Sequence, residues 1–338
     1  MPAEVPAEVP DHTPDAVVSR TPTPQQSVLA VRDEVGKLVV GQEGVLSGLV
    51  AALLVRGHVL LEGVPGVAKT LLVKALAASL DLRTTRVQFT PDLMPSDVLG
   101  QTILDPSAGL GGFRFREGPV FTNLLLADEI NRTPPRTQSA LLEAMEERQV
   151  TSDGVTRPLP DPFMVIATQN PIEYEGTYPL PEAQLDRFLF KLVVGYPSAE
   201  QEQTILLRHD AGQVPQDISQ SAIRAVAGPA ELAAARAQVD AIRCEPQVLA
   251  YIVSLVRATR DSPSLTLGVS PRGATMLLRA AKAWAWLSGR DFVTPDDVKA
   301  MARSTMRHRI ALRPEVELEG GTADGVFDGL LATVPVPR

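Results

Sequence analysis

The sequence predicts an α/β fold: a three-layer α/β/α core built on a parallel sheet, followed by a smaller all-α unit. Three observations predict it. An apolar run at 59–61 passes through a glycine-containing loop into a helix-forming segment that opens with Lys69 and Thr70. Two more stretches, the mainly apolar 120–127 and the apolar run 163–167, end in polar residues, as buried parallel strands do. Beyond Pro197-Ser198 the apolar residues recur mostly at helical spacing. With 338 residues, 44% of them hydrophobic, the chain is long enough for two cores, and no apolar run reaches the length of a membrane span.

Composition removes several function classes. The single cysteine, Cys244, excludes an internal disulfide and any cysteine-cluster metal site. The start of the chain lacks the basic and apolar regions of a signal peptide, which predicts a cytoplasmic protein. A net charge of −8, with no basic stretch interleaved with aromatics, counts against nucleic acid as a partner.

In chain order, residues 1–27 are rich in Pro, Ala, Thr and Glu and hold no Leu, Ile or aromatic residue, so they are expected to form a tail. The core is expected over 28–198. Ser27 is the expected cap of a helix over 28–38, and a second apolar helix over 45–54 follows Gly41-Gln42. A strand is expected at 86–90. The turn-rich stretch 91–118 contains two arms, 101–104 and 112–115, of a hairpin near 101–117. A helix over 137–148 turns Leu141, Leu142 and Met145 inward, and 149–159 reads as a second hairpin on the Asp153-Gly154 turn. After a helix beginning at Pro181 and a strand over 189–194, the unit 199–338 reads as helical. Its clearest start signal is Thr294-Pro295-Asp296-Asp297, a cap, a first-turn proline and two acids facing the helix dipole.

The chemistry lies at the strand ends. Strand, glycine loop, Lys-Thr and helix is the order in which backbone N–H groups curl around phosphates and a helix dipole adds to them. Lys69 is placed to reach the β- and γ-phosphates, and the Thr70 hydroxyl to ligate Mg²⁺. Ala68 stands where glycine is usual, and its methyl is expected to fit only on backbone that is already helical. Coupled to such a loop, Asp128 would hold the Mg²⁺ shell and Glu129 would activate water. Asn170 is either an ordinary turn residue before a proline or the amide that orients that water. Arg272 falls in the first turn of a helix opened by Ser270-Pro271. A cation is disfavoured there unless an anion lies near.

Taken together these residues resemble the AAA+ ATPases and, within them, the MoxR family, over about residues 40–313. The runs Gly63-Val64-Pro65-Gly66-Val67-Ala68-Lys69-Thr70, Asp128-Glu129-Ile130-Asn131-Arg132 and Ala167-Thr168-Gln169-Asn170-Pro171 carry the resemblance, with Glu173 to Phe188. It implies a ring-forming, ATP- and Mg²⁺-dependent ATPase, typically a hexamer. Walker A would be Gly63 to Thr70, Walker B Asp128 and Glu129, and sensor 1 Asn170, with Gly41 and Gln42 on the adenine side. Arg272 would be sensor 2, reaching the γ-phosphate of its own subunit from the helical lid. Arg187 would be the arginine finger, with Arg132 as the alternative. The hairpins would line the pore or contact a protein client, and MoxR proteins are similar in acting with partners that carry a von Willebrand factor A (VWA) domain. A metal-chelatase motor subunit and a nucleic-acid-dependent motor are the alternative classes.

Overall fold

The computed structural model describes residues 22–64, 66–104, 112–170, 176–212 and 221–337; residues 1–21 of the expected tail, and Pro65, lie outside it. Two helices lead in, α1 (Pro24–Gly36) and α2 (Glu43–Leu54). The core continues through β1 (Val59–Glu62), α3 (Lys69–Ser79), β2 (Thr84–Gln88), α4 (Pro95–Leu99), β3 (Gly100–Leu104) and β4 (Phe113–Glu117). It is completed by β5 (Leu124–Asp128), α5 (Pro135–Glu147), β6 (Gln149–Ser152), β7 (Val155–Pro158), β8 (Met164–Gln169), α6 (Glu182–Leu185) and β9 (Phe190–Val193). The helical unit comprises α7 (Ala199–Asp210), α8 (Pro229–Asp240), α9 (Pro246–Arg260), β10 (Leu265–Leu267), α10 (Pro271–Leu287), α11 (Pro295–Met306), β11 (Ala311–Leu312), α12 (Pro314–Leu318) and α13 (Ala323–Thr333). Among the described residues the expected lid is helical apart from one short antiparallel pair, β10 with β11. Among the described residues no helix is long and apolar enough to cross a membrane.

Five strands form one sheet in the order β2-β5-β8-β1-β9, all parallel. Strand alternation sorts their side chains into two layers. Val59, Leu61, Leu124, Leu126, Met164 and Ile166 join the layer that α1, α2, α3 and the lid helices cover. Leu60, Leu125, Ala127, Val165 and Ala167 join the layer under α4 and α5. A sheet buried on both faces explains why these runs are apolar throughout rather than alternating.

The first helix starts earlier than expected. Thr23, not Ser27, is the cap: its hydroxyl accepts from the Gln26 N–H, Gln26 bonds back to the Thr23 N–H, and Pro24 occupies the first turn. Ser27 is buried inside the helix. The two hairpins form as the sequence predicts, with residues 105–111 outside the described part. They also touch. Thr102 Oγ1 donates to Asp153 Oδ2 at 2.5 Å, and the Arg157 guanidinium lies 3.8 Å from the centre of the Phe115 ring.

The phosphate loop departs from expectation at Ala68. Its backbone is left-handed (φ 59°, ψ 22°), one residue before α3, so it is not in helical geometry. This is the region L-residues avoid, which is why glycine is common there. Gly63 has a different reason: a Cβ on it would stand 2.5 Å from the Val194 carbonyl oxygen.

At the other end of β1, His58 ties three elements together. Its Nδ1 accepts from the Val165 N–H at 2.9 Å and its Nε2–H donates to the Met145 carbonyl at 3.0 Å. Its own carbonyl accepts from the Leu189 N–H at 2.8 Å. Burial holds the imidazole down to about 4, against an ordinary 6.5, despite the opposing bond to Met145.

Two predictions follow from this scaffold. Ala68→Gly should be as stable as the parent or up to about 1 kcal/mol more stable, because it relieves the left-handed strain, whereas Ala68→Val should lose about 1–3 kcal/mol. Urea unfolding would measure both, and a destabilised glycine variant would contradict the strain. For His58 the unfolded chain binds a proton that the folded chain refuses between about pH 6.5 and 4. The stabilisation is therefore complete above pH 6.5 and lost as pH falls, on the order of 3 kcal/mol in all. Unfolding free energy should drop between pH 7 and 4.5, less steeply in His58→Gln; a rise on acidification would overturn the assignment.

Candidate functional site

Because β1, β5 and β8 run the same way, their C-terminal ends deliver Gly63, Asp128-Glu129 and Asn170 to one edge of the sheet. This is the edge where open α/β sheets bind ligands. Lys69 stands at the first position of α3, and its Nζ donates to the Gly63 carbonyl at 2.7 Å, which folds the loop over its own lysine. Gly66 adopts φ 85°. Thr70 follows in the first turn of α3, with Val64 and Val67 packed on the core beside it.

The two acids are held differently. Asp128 accepts from Arg86 Nη2 at 2.7 Å and Nε at 3.1 Å, and from the Thr168 hydroxyl at 2.5 Å. Glu129 is left-handed (φ 58°), and its N–H donates to the same Thr168 hydroxyl at 2.8 Å. Its carboxylate accepts from Gln88 Nε2 at 2.5 Å and pairs with Arg132 Nε at 3.0 Å. Thr168 thus couples both acids to the strand that ends at Asn170. Asp128 and Thr70 offer hard oxygen donors of the kind Mg²⁺ takes with most of its waters retained, so they fit that ion. Asn170 is buried at the tip of β8.

Gly41 (φ 80°) and Gln42 lie at the start of α2, with Gln42 Nε2 bonded to the Gly195 carbonyl at 3.2 Å. Together with Tyr196 they wall a cavity of about 670 Å³ whose other side is Lys299 and Arg303 of α11, Arg307 just after it, and Leu331 of α13. Asp328 and Asp324 of α13 pair with Arg303 and Arg307.

Arg187 and Arg272 are elsewhere. Both bind Glu146 near the C-terminus of α5: Arg187 Nε lies 3.2 Å from Oε2 and Arg272 Nη1 lies 2.9 Å from Oε1. Glu146 adjoins Met145, the residue bonded to His58, so this cluster sits at the N-terminal ends of the strands. The four residues of β1 span on the order of 10–13 Å, and Lys69 lies beyond the far end. Arg272 thus stands at the opposite end of β1 from Lys69, not beside it as the reading of it as sensor 2 for its own subunit expects. Helix α10 packs on α2, α8 and α11, and this packing brings its N-terminus to α5 rather than to the phosphate loop. Arg132, by contrast, stays on the phosphate edge beside Glu129.

The lid also holds the segment that carries Arg187. The buried Arg309 guanidinium bonds Asp186 Oδ1 from Nε at 2.7 Å and the Asp186 carbonyl from Nη2 at 3.1 Å. Burial pushes its pKa down to about 10, with Asp186 opposing. Ser270 caps α10 and donates to Asp186 Oδ2 at 3.1 Å. Arg86, Gln88, Glu146, Thr168 and Arg309 had no assigned role in the sequence. The strand expected at 86–90 forms two residues earlier, over Thr84–Gln88, so Gln88 ends it instead of lying inside it; Arg309 carried no signal.

Comparison with known proteins agrees with this geometry. Residues 58–190 match the ATPase family associated with various cellular activities (AAA), and 257–328 match the AAA lid domain. The chain is 48% identical to YeaC of Bacillus subtilis over 305 residues, covering 90% of this chain and 93% of YeaC. It is 42% identical to the chaperone MoxR1 of Mycobacterium tuberculosis, covering 90% of this chain and 81% of that protein. A solved structure from Cytophaga hutchinsonii superposes with a TM-score of 0.84 at 40% identity, covering 93% of this chain and 96% of that one. With its parallel sheet, phosphate loop and helical lid, the chain belongs to the MoxR family of AAA+ ATPases.

Proposed function

We propose that the chain is an ATP-hydrolysing chaperone that works as a ring, hexameric by resemblance, with each nucleotide shared by two subunits. The observation that carries this is the division of charge along the sheet: Lys69, Asp128, Glu129 and Asn170 at one end, Arg187 and Arg272 at the other. An arginine that cannot reach its own phosphate loop is suited to a neighbour's.

The magnesium nucleotide, when bound, supplies the scissile phosphoanhydride and a divalent charge. Lys69 and the N–H groups of the loop would hold the phosphates, Thr70 and Asp128 would hold the metal shell, and Gly41 and Gln42, which line the 670 Å³ cavity, would face the base. Glu129 takes a proton from the attacking water once its carboxylate leaves Gln88 and Arg132, and Asn170 orients that water. The neighbour's Arg187 and Arg272 meet charge that develops on the transferred group. Arg132 sits at its own subunit's phosphate edge beside Glu129, whereas Arg187 sits at the opposite end of the sheet, which favours Arg187 as the finger.

The hairpins present Leu104, Phe113 and Val155 to solvent and are bonded to each other, which suits one client-contacting unit. The similarity to a named chaperone supports complex remodelling or maturation, with a VWA-domain protein as the partner the resemblance implies.

Glu129→Gln should bind ATP normally and hydrolyse it about 10²-fold or more slowly. Loaded with ATP, it should retain a protein client from native lysate that a Lys69→Ala control does not. Wild-type turnover, or capture of nucleic acid alone, would overturn the reading. Mixing inactive Lys69→Ala subunits with Arg187→Ala, and separately with Arg272→Ala, should restore turnover in both cases. Rescue by Arg187→Ala alone would return Arg272 to its own subunit.

A further inference from the structure

Five arginines, Arg56, Arg148, Arg187, Arg272 and Arg279, line a cavity of about 240 Å³ beside His58, and Glu146 lines it with them. Part of this positive charge has a structural use. The last carbonyls of a helix lack intrahelical partners, and basic side chains satisfy them. At the end of α2, Arg236 Nε donates to the Leu53 carbonyl at 3.0 Å and Arg148 Nη2 to the Arg56 carbonyl at 2.8 Å, while Arg279 donates to the Val55 carbonyl. Burial lowers the pKa of all three. Of the five lining arginines that leaves Arg56, Arg187 and Arg272, and the last two, which come from different domains, are both bound to the one carboxylate of Glu146.

We infer that Glu146 is a positioning residue for hydrolysis at the neighbouring subunit: it holds the finger from the core and the arginine from the lid side by side. This rests on the proposal that both arginines act across the interface. Two guanidiniums brought together repel, and a shared carboxylate lets them sit close before the phosphate arrives. A guanidinium has five N–H donors, so the bonds to Glu146, through Nε of Arg187 and Nη1 of Arg272, leave further donors for phosphate oxygens.

Each of the three parts stands on a fixed support, as a preorganised site requires. Helix α5 ends two residues after Met145, where Arg148 turns left-handed (φ 53°), and Met145 is bonded to His58. Arg187 follows Asp186, which Arg309 and Ser270 hold. Arg272 is in the first turn of α10, which Ser270 caps. The Glu146 side chain is 37% exposed, so it is open to a neighbour while engaged with both arginines.

The test combines turnover with subunit mixing. Glu146→Ala should lower kcat about tenfold or more while KM for ATP changes less than about twofold, with Glu146→Gln in between, since one acceptor oxygen remains. Thermal melts of both variants should match the parent to within a few degrees. Lys69→Ala subunits, which carry intact arginines, should rescue Glu146→Ala; Arg187→Ala subunits should not. Parental turnover in Glu146→Ala, or rescue by both partners or by neither, would overturn the role of Glu146. Failure of Lys69→Ala to complement Arg187→Ala would instead overturn the interface reading on which it rests. If the alanine variant does not fold, the glutamine variant carries the same mixing test.

Discussion

One constraint governs the chemistry of this chain: its five sheet strands all run the same way. A parallel sheet has chemically distinct ends. Helix N-termini and their unpaired N–H groups gather where strands finish, and helix C-termini gather where strands begin. The anion-binding residues at one end and the arginine cluster at the other follow from that polarity. Even the capping of α2 by Arg148, Arg236 and Arg279 obeys it, because cations satisfy a carbonyl-rich terminus.

The second determinant is how the lid is pinned. Arg309 is a buried cation whose bonds go to Asp186, Phe188 and Leu189 in the core. A buried charge is tolerated only when paired and hydrogen-bonded, so this residue specifies one way for the lid to sit. His58 and His308 act alike as neutral, buried connectors; His308 bonds the Phe188 carbonyl at 3.0 Å, and burial puts its pKa well below 6.5. The stretch from Asp186 to Leu189 is held from both sides, and it carries Arg187.

At the phosphate edge the backbone is under local tension. Ala68 and Glu129 are both left-handed, one at each of the two loops that flank the expected nucleotide. Strained residues persist where surrounding structure over-determines them, and at functional sites they aim a group that relaxed backbone would point elsewhere. Thr168, bonded to the Glu129 N–H and to Asp128, is part of that over-determination. Gln88 and Arg132 keep the Glu129 carboxylate engaged, so its use as a base requires those contacts to be exchanged.

The sequence alone left out α4, the β10–β11 pair, α12 and α13, but determined the main strands and helices of the core, the phosphate loop, the paired acids, the strand-end Asn170 and both hairpins. Each of these is written in contiguous residues whose pattern follows from local geometry: apolar runs for buried strands, a glycine loop before Lys-Thr, an Asp-Gly turn. It misplaced the start of α1, where proline and threonine outweighed apolar spacing, and the backbone of Ala68, whose conformation depends on the loop as a whole. Only the tertiary structure decided at which end of the sheet Arg272 sits, because that depends on how α10 packs against its neighbours. It alone joined Arg187, Arg272 and Glu146, which share no local pattern. Their meeting is a property of helix packing and of a buried arginine, and no short stretch of sequence contains it.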